Sequence, residues 1–564
     1  MLGIGFWDWA AILVYLFGIT AIGVWTVTRI KDSADFFMGG RMHNKWFMMF
    51  FAFGSGTSGN DAVGVSAKTY TSGMSGIWYQ WLWLFATPFY WLIAPAMRRM
   101  RCITTGDYFE QRYDSSVAGL YSLVGVLQLT FNIGILLLGC GTMIDAVTQG
   151  AIDKNFAIVG MTVMFVLYGV AGGLTAAIIT DFIQGILTVV LSFMLLPVAL
   201  KHVGGMSGLR EAIGDPHMFT IVSPGEINLF HIIMSCTLAL AGIATQPHIM
   251  GVCAAGKTEF EGRFGFASGN LLKRFCTIPW MLVGLCGVAM YPGLTGSETD
   301  QIYGRVARDL LPGVMPGLVG IFLAALLASV MSSCDAFMVS CSGLFTQNFY
   351  RRFIGKNRTE GHYVFVGRIV SVFIVVIGLM FAYTVSNVPR GLELFFQFQA
   401  LMAAAFWLGL FWRRTTVAGA WAGTLVCLGV WAVTSLPPLQ GWYAQNLPEF
   451  MIWNDRLRYS YSSFFYLSAG FATAVVVSLF TKRVAQEKLD RLYTCLRTPI
   501  QENEPHQAPF TVPAGSSPTV RKLVAHPDFE IYVPSAQSLA GFGVFWAFVV
   551  GLIGFVYWLT GLGQ

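Results

Sequence analysis

The amino-acid sequence predicts an all-α polytopic membrane protein, and three observations support this fold class. Of the 564 residues, 55% are hydrophobic and only 11% are charged, whereas a typical globular protein has about 25% charged residues. Apolar runs of about 20 residues, long enough to cross a bilayer as a helix, recur along the chain. Lys and Arg concentrate in alternate loops between those runs, as expected for cytoplasmic loops. The same composition excludes disorder and nucleic-acid binding, despite the net charge of +6.

The apolar runs predict about 14 transmembrane helices. In chain order they lie near 7–28, 46–67, 76–97, 117–146, 155–178, 181–200, 227–254, 275–294, 313–348, 369–386, 391–412, 415–436, 460–481 and 540–561. This number of spans and the distribution of basic residues predict that both termini lie outside. The first run has no preceding basic region and no small-residue cleavage site, so we expect it to stay in the mature protein.

The longest polar stretch, about 483–539, is predicted to be a cytoplasmic loop that is too short for an enzyme domain. It begins with LDRLYTCL at 489–496, a pattern typical of a short amphipathic helix at the membrane surface. An interfacial linker is one interpretation of this loop, and a docking site for a regulator is the other. The ten cysteines have no spacing typical of a zinc site, and no cofactor is expected.

Two carboxylates, Asp61 and Asp335, are predicted near the middle of spans, and Asp181 is predicted at the cytoplasmic entrance of the sixth. A carboxylate at the centre of a membrane helix costs about 2.5–3.5 kcal/mol. Because every Lys and Arg is assigned to a loop or a span end, no basic partner is expected. Each aspartate is therefore expected to face a cation or the substrate, or to be protonated; a neutral, hydrogen-bonded structural role is the alternative.

Two of the predicted spans carry sequences that are unusual for a continuous helix. Residues 53–61 read FGSGTSGND, which favours unwound backbone whose free carbonyls line a cavity. Residues 328–335 read ASVMSSCD, which places Ser329, Ser332 and Ser333 on one helical face. Hydroxyl and carbonyl oxygens suit a small hard cation, but serine-rich faces also pack helices closely. An ion site and a packing face both remain open from spacing alone.

Four segments together resemble the sodium:solute symporter family, which includes sodium-coupled transporters of sugars, proline, pantothenate, choline and sialic acid. They are DFFMGGR at 35–41, GGLTAAIITDFIQ at 172–184, QPHI at 246–249, and the stretch from Ser332 and Ser333 to FTQNFY at 345–350. The resemblance is collinear from about residue 30 to about residue 440. We therefore expect a multi-pass protein of the plasma (cytoplasmic) membrane.

The resemblance implies a leucine-transporter-type fold, with a core of two inverted repeats of five helices and extra flanking helices. The corresponding units are 1–45 (first helix and inner loop), 46–200 (first repeat), 201–436 (second repeat plus one partly flanking helix) and 437–564 (C-terminal helices with the 483–539 loop). The first helix of each repeat, at 46–67 and 227–254, is interrupted by Gly or Pro, as inverted-repeat transporters require.

The resemblance also implies a sodium site. Its ligands are the backbone carbonyls of Gly54, Thr57 and Ser329 and the hydroxyls of Ser332 and Ser333. Asp181 and Asp335 are candidates for a second ion site or an ion exit path, with a proton or a structural aspartate as alternatives at Asp335.

The substrate-binding residues of the family have few counterparts in this sequence, because the aromatic gate residues of sugar and proline transporters are absent here. The candidates are Gly56, Asp61, Gln80 and Trp78, with Trp78 offering a cation–π or stacking surface. Asp61 favours a cationic or polyhydroxylated solute.

These expectations together predict a sodium-coupled secondary symporter that imports a small organic solute by alternating access. A proton-coupled or uncoupled permease on the same fold is the alternative, and a transporter-derived sensor is a weaker one. An enzyme is not expected, because no cluster of catalytic or metal-binding residues faces one side of the membrane. The predicted partners are sodium, as the only metal, the solute and the lipid bilayer, with no nucleic acid and no evident protein partner.

Overall fold

A computed structural model describes residues 5–26, 33–223, 225–384, 388–436, 439–501, 504 and 508–563. Its helices up to the middle of the chain are α1 (Phe6–Thr26), α2 (Ser33–Met38), α3 (Lys45–Gly56), α4 (Gly59–Ser72), α5 (Trp78–Trp81), α6 (Thr87–Arg99), α7 (Thr105–Arg112), α8 (Ser115–Thr148), α9 (Lys154–Met194), α10 (Leu196–His202), α11 (Gly205–Ile213), α12 (Leu229–Ile243), α13 (Pro247–Ala254) and α14 (Glu259–Met290).

The remaining helices are α15 (Ile302–Leu310), α16 (Leu318–Gly343), α17 (Glu360–Ala382), α18 (Val388–Phe398), α19 (Ala403–Phe411), α20 (Val417–Ser435), α21 (Gln440–Asn446), α22 (Tyr459–Phe480), α23 (Gln486–Arg497) and α24 (Ala536–Gly561). α16 continues as a π-helix over Leu344–Ile354. Two short strands, β1 (Ile452–Trp453) and β2 (Arg456–Leu457), pair antiparallel with Ile452 opposite Leu457. The all-α prediction is confirmed.

In the described part of the chain, ten helices are long and apolar enough to cross a membrane, and the bent pair α12–α13 gives up to eleven. The predicted spans at 46–67, 76–97 and 155–178 coincide with broken or shorter helices. The count of fourteen therefore stays a prediction. Residues 27, 28, 385 and 386, at the ends of two predicted spans, lie outside the described residues.

Two helix breaks predicted from the sequence are confirmed. Between α3 and α4, Thr57 and Ser58 have extended backbones, with φ/ψ of −135°/123° and −130°/166°. Between α12 and α13 the axis bends by 69°. There Gln246 is extended before Pro247, because proline disfavours a helical conformation in the preceding residue.

One predicted boundary is wrong, with consequences for the site. α14 begins at Glu259 instead of near residue 275, because Thr258 and Glu261 form a capping box. Lys273 and Arg274 therefore lie inside the helix and are almost fully buried, with 5% and 1% of their surface exposed. The hydropathy pattern marks only the more apolar second half of this helix. The prediction that every basic residue lies in a loop or at a span end is therefore wrong.

The helix α3 is enclosed by α9, α14 and α16. Gly265 and Gly269 of α14 allow a close approach, since a Cβ at Gly269 would lie 2.5 Å from the carbonyl oxygen of Met49. Lys273 follows four residues after Gly269 and so lies on the same helical face. This packing brings a lysine to the C-terminal end of α3, where the backbone unwinds.

Candidate functional site

A cluster of oxygen atoms lies where the break between α3 and α4 meets α16. The Ser333 hydroxyl lies 2.9 Å from the carbonyl oxygen of Gly54, 3.4 Å from that of Thr57 and 3.5 Å from that of Ser329. Ser332 and Ser333 are 0% and 2% exposed. We name these five residues the ion cluster: Gly54, Thr57, Ser329, Ser332 and Ser333. The structure thus brings together all five residues that the resemblance implied.

Asp181 adjoins the ion cluster. The Ser332 hydroxyl donates a hydrogen bond of 2.5 Å to Oδ1 of Asp181, while Oδ2 has no hydrogen-bond partner among the described residues. A Cβ at Gly54 would lie 2.4 Å from the Ser332 hydroxyl and 3.3 Å from Cγ of Asp181, so a side chain here would displace the Ser332 hydroxyl. Asp181 is fully buried. Asp181 thus packs against α3 and α16, while its place at a cytoplasmic entrance stays a prediction.

The side chain of Ser329 has a different partner from its carbonyl. Its hydroxyl accepts a hydrogen bond of 2.8 Å from the backbone N–H of Gly59 and so caps α4. Asp335 lies further along α16, where it packs against α9: a Cβ at Gly169 would lie 2.5 Å from Oδ1 of Asp335. Asp335 is 1% exposed.

A second feature, which we name the central cavity, lies beside the helix break and has a volume of about 60 Å³. It is lined by residues of α3, α4, α8, α12, α13, α14, α16 and α18 and of the connecting segments. Its polar and charged lining residues are Ser55, Ser58, Asp61, Asn132, Gln246, His248, Asn270, Lys273, Arg274 and Ser333. The remaining wall is mainly apolar and includes Ile243, Phe337 and Phe396. Gly56 also lines this cavity, as predicted for a substrate contact.

The expectation that Asp61 has no basic partner is wrong. Lys273 Nζ lies 3.0 Å from Oδ2 of Asp61, with both side chains less than a tenth exposed, and it also donates to the carbonyl oxygen of Gly56. Asp61 accepts two further hydrogen bonds, 2.5 Å from Nε2 of Gln80 and 2.8 Å from the backbone N–H of Ser58. Asp61 therefore joins α4, α5 and α14 at one point.

The two other predicted substrate residues have different positions. Gln80 supports Asp61 from behind and is not one of the described residues that line the central cavity. Trp78 is turned away from it, since its indole N–H donates to the carbonyl oxygen of Ile221 at 2.7 Å. It lines a separate small cavity with Lys68 and Glu226. Trp78 is therefore not brought together with Gly56 and Asp61 at the central cavity, and its role at the substrate site stays a prediction.

Sequence reasoning missed several residues of the central cavity. Trp83 lines it in place of Trp78, because the chain turns between α5 and α6. Lys273 was missed because it was assigned to a loop. The spacing of Gly265, Gly269 and Lys273 is the signal that could have identified it, since these residues share one face of a helix.

The family model described as the sodium:solute symporter family matches residues 36–427. The chain is 24% identical over 541 residues to the sodium/myo-inositol cotransporter 2 of Rattus norvegicus, covering 86% of this chain and 78% of that protein. It is also 24% identical over 491 residues to an osmoregulated proline transporter of Bacillus subtilis, covering 84% of this chain and 94% of that one.

Among solved structures, the chain resembles a Na⁺-coupled sialic acid symporter in a substrate-bound outward-open state. The TM-score is 0.72 at 19% identity, covering 86% of this chain and 99% of that one, so the likeness shows a shared fold. Both the family model and these relatives concern transporters and not enzymes. This chain, a multi-pass integral membrane protein, belongs to the sodium:solute symporter family.

Proposed function

We propose that this protein is a secondary symporter that uses sodium to import a small organic solute by alternating access. The main support for the proposal is that the Ser333 hydroxyl contacts the carbonyl oxygens of Gly54 and Thr57 at the helix break. Hydroxyl and carbonyl oxygens are hard ligands that suit a small cation. The hydrogen of a hydroxyl group rotates about the C–O bond, so a lone pair of the oxygen can face an ion that enters between these groups.

The ion cluster is the proposed sodium site, with the carbonyls of Gly54, Thr57 and Ser329 and the hydroxyls of Ser332 and Ser333 as ligands. Asp181 supports this proposal, because its buried carboxyl group adds oxygen atoms beside the cluster. A second ion bound with Asp335, or leaving past Asp181, is part of the same proposal.

Coupling would follow from the shared helix break. Sodium in the ion cluster would hold α3 to α16, while a solute in the central cavity would contact Ser55, Gly56 and Ser58 of the same segment. A ligand that fixes this segment in one conformation lowers the cost of binding the other ligand. Release of both ligands would follow when the helices rearrange to open inward.

The finer architecture belongs to the proposal. We propose fourteen spans, a leucine-transporter-type core of two five-helix repeats, and both termini outside the plasma membrane. The proposed units are 1–45, 46–200, 201–436 and 437–564. The positions of the two helix breaks, one at the start of each proposed repeat, support this division.

Sodium binding to the purified full-length protein tests the proposal without a known solute. We expect NaCl to raise the unfolding temperature relative to KCl at equal ionic strength, because a ligand of the folded state stabilises it. Ser333→Ala should need at least ten times more sodium for the same rise in unfolding temperature, because we expect its sodium affinity to fall at least tenfold. A tenfold change in affinity corresponds to about 1.4 kcal/mol.

Ser342→Ala is the matched control for this experiment. Ser342 is a fully buried serine of α16 whose hydroxyl bonds the carbonyl oxygen of Val339 in its own helix. It should keep the sodium response of the unchanged protein. Equal stabilisation by sodium and potassium, or an unchanged response in Ser333→Ala, would contradict the sodium site.

A proton-coupled permease is the second candidate function, favoured by the buried carboxylate of Asp181 with its unbonded Oδ2. A proton-coupled protein reconstituted in liposomes would accumulate solute in response to a pH gradient without sodium. Accumulation that needs a sodium gradient, at equal pH on both sides, would exclude this candidate.

A further inference from the structure

We infer that the solute is a small organic anion held through its carboxylate, an inference that rests on the proposed symporter function. The observation behind it is an imbalance of charge in the central cavity. Among the described residues that line this cavity, Asp61 is the one carboxylate, whereas Lys273 and Arg274 are both basic. One carboxylate faces two cations, which leaves one positive charge in excess.

The excess charge belongs to Arg274, since Lys273 is paired with Asp61. Arg274 donates hydrogen bonds to two neutral acceptors, 2.5 Å to the carbonyl oxygen of Gln80 and 3.3 Å to Oδ1 of Asn270. Its Nε has no hydrogen-bond partner among the described residues. Arginine does not release its proton in proteins, so this side chain stays charged.

A buried charge without a counter-ion is costly, and an anionic solute would supply the missing one. A guanidinium group presents its N–H donors in a geometry that matches a carboxylate. A cationic solute would instead be repelled by the uncompensated charge of Arg274, because Asp61 is already neutralised by Lys273. The position of Lys273 therefore reverses the charge preference that Asp61 alone predicts.

The rest of the wall favours a small solute with an apolar part. Ile243, Phe337 and Phe396 form apolar surface, and Asn132 and Gln246 add neutral polar groups. The cavity volume of about 60 Å³ limits the solute to a small molecule. Sodium in the adjoining ion cluster would add further positive charge, so electrostatic attraction would couple the two ligands.

Matched pairs of small solutes test the charge directly. The purified full-length protein is heated in NaCl or in KCl with propionate, lactate or benzoate, and in parallel with propionamide, lactamide or benzamide. We expect at least one carboxylate to raise the unfolding temperature by about 3 °C or more in NaCl, with its amide giving about 1 °C or less. Choline and myo-inositol serve as cationic and polyhydroxylated solutes, with no shift expected.

The result separates this inference from the proposed function. If an amide, choline or myo-inositol stabilises the protein in NaCl as strongly as every carboxylate does, the inference is overturned while sodium coupling stands. The same holds if no carboxylate gives a shift although NaCl alone does. If NaCl gives no more stabilisation than KCl, with or without solute, the proposed sodium coupling itself fails, and the inference fails with it.

Arg274→Gln tests the residue that carries the excess charge. We expect this variant to keep its stabilisation by NaCl and to lose at least tenfold in apparent affinity for the carboxylate. Lys257→Gln is the control, because Lys257 is exposed in the connection before α14. A change below twofold in Arg274→Gln overturns the inference. If Arg274→Gln does not fold, Lys273→Gln takes its place, since it also removes one positive charge from the cavity.

Discussion

The ion cluster and the central cavity lie on the same stretch of unwound chain, yet they differ in charge. Oxygen atoms from α3, the break and α16 form the ion cluster, with the carboxylate of Asp181 beside them. The central cavity instead receives Lys273 and Arg274 from α14. Under the proposed function, one backbone segment would serve two ligands of opposite charge, with Asp181 of α9 beside the ion cluster and two basic residues of α14 in the central cavity.

Removing both hydroxyls of the ion cluster should have the largest effect. In Ser332→Ala with Ser333→Ala, both side-chain ligands are lost and Asp181 loses its hydrogen bond at Oδ1. We expect sodium-driven uptake to be abolished, with apparent sodium affinity weakened about a hundredfold or more. Uptake of a stabilising solute into proteoliposomes measures this effect. Retained dependence on a sodium gradient would show that the ion binds elsewhere.

Asp61→Asn should act mainly on the central cavity. The change leaves Lys273 without its counter-ion and so increases the excess positive charge of the cavity, and we expect the affinity for a carboxylate solute to rise about tenfold. Sodium affinity should change less than threefold. Asp8→Asn is the control. Asp8 is a buried aspartate that does not line the central cavity and accepts hydrogen bonds from the backbone N–H groups of Gly5 and Gly320. A larger change in sodium affinity than in solute affinity would assign Asp61 to the ion pathway.

Substitutions at two glycines test the ion cluster and the central cavity separately. A methyl group at Gly54 would press on the Ser332 hydroxyl, at 2.4 Å, whereas one at Gly56 would meet no heavy atom within 4 Å. We expect Gly54→Ala to weaken sodium binding about tenfold with folding retained, and Gly56→Ala to reduce solute affinity a few-fold by narrowing the cavity. Sodium and solute titrations of both variants measure this. If both variants change sodium affinity and solute affinity to the same extent, the ion cluster and the central cavity are not separate sites.

Much of the ion cluster could be predicted from the sequence, because its signals are local. Glycines and hydroxyl residues at 53–61 disfavour a continuous helix, and the spacing of Ser329, Ser332 and Ser333 places them on one face. The family resemblance then supplied the ligand set. The helix break and the proximity of these residues are confirmed by the structure, while their binding of sodium remains a prediction.

The charge of the central cavity could not be predicted in the same way, because it depends on tertiary packing. Hydropathy marks the apolar half of α14 and hides that Lys273 and Arg274 lie inside a longer helix. Their burial depends on the glycine face at Gly265 and Gly269, which lets α14 approach α3. Trp78 was predicted from residue type alone, and only the turn after α5 decides that Trp83 reaches the cavity.

Asp335→Ala should have a smaller effect. It tests whether a second sodium binds near Asp335 in addition to the sodium proposed for the ion cluster. Asp335 packs against Gly169 of α9, further along α16 than Ser332. If a second sodium binds there, the Hill coefficient for sodium should fall from about 2 toward 1. Sodium titrations of solute uptake measure this, with Ser342→Ala as the control. An unchanged coefficient would assign Asp335 a structural role or a proton.

The smallest effect concerns the wall of the central cavity and depends on pH. Asp300 accepts a hydrogen bond of 3.1 Å from the backbone N–H of Val388, at the start of α18, the helix that carries Phe396. Burial raises the pKa of Asp300 to about 6, although the Val388 N–H and Lys154 favour the charged form. Because the folded state disfavours the charged carboxylate, this contact should lose stability as pH rises from about 4 to about 6.

Asp300→Asn should remove that dependence, since the amide keeps an acceptor for Val388 and carries no charge. We expect the variant to unfold a few degrees above the unchanged protein at pH 7.5, with the advantage shrinking at pH 4.5. Asp309→Asn should instead lower the unfolding temperature at pH 7.5, because the hydrogen bond to Arg308 holds the pKa of Asp309 below its ordinary value and so stabilises the fold when Asp309 is charged. Equal shifts at both pH values would mean that Asp300 is already charged without cost.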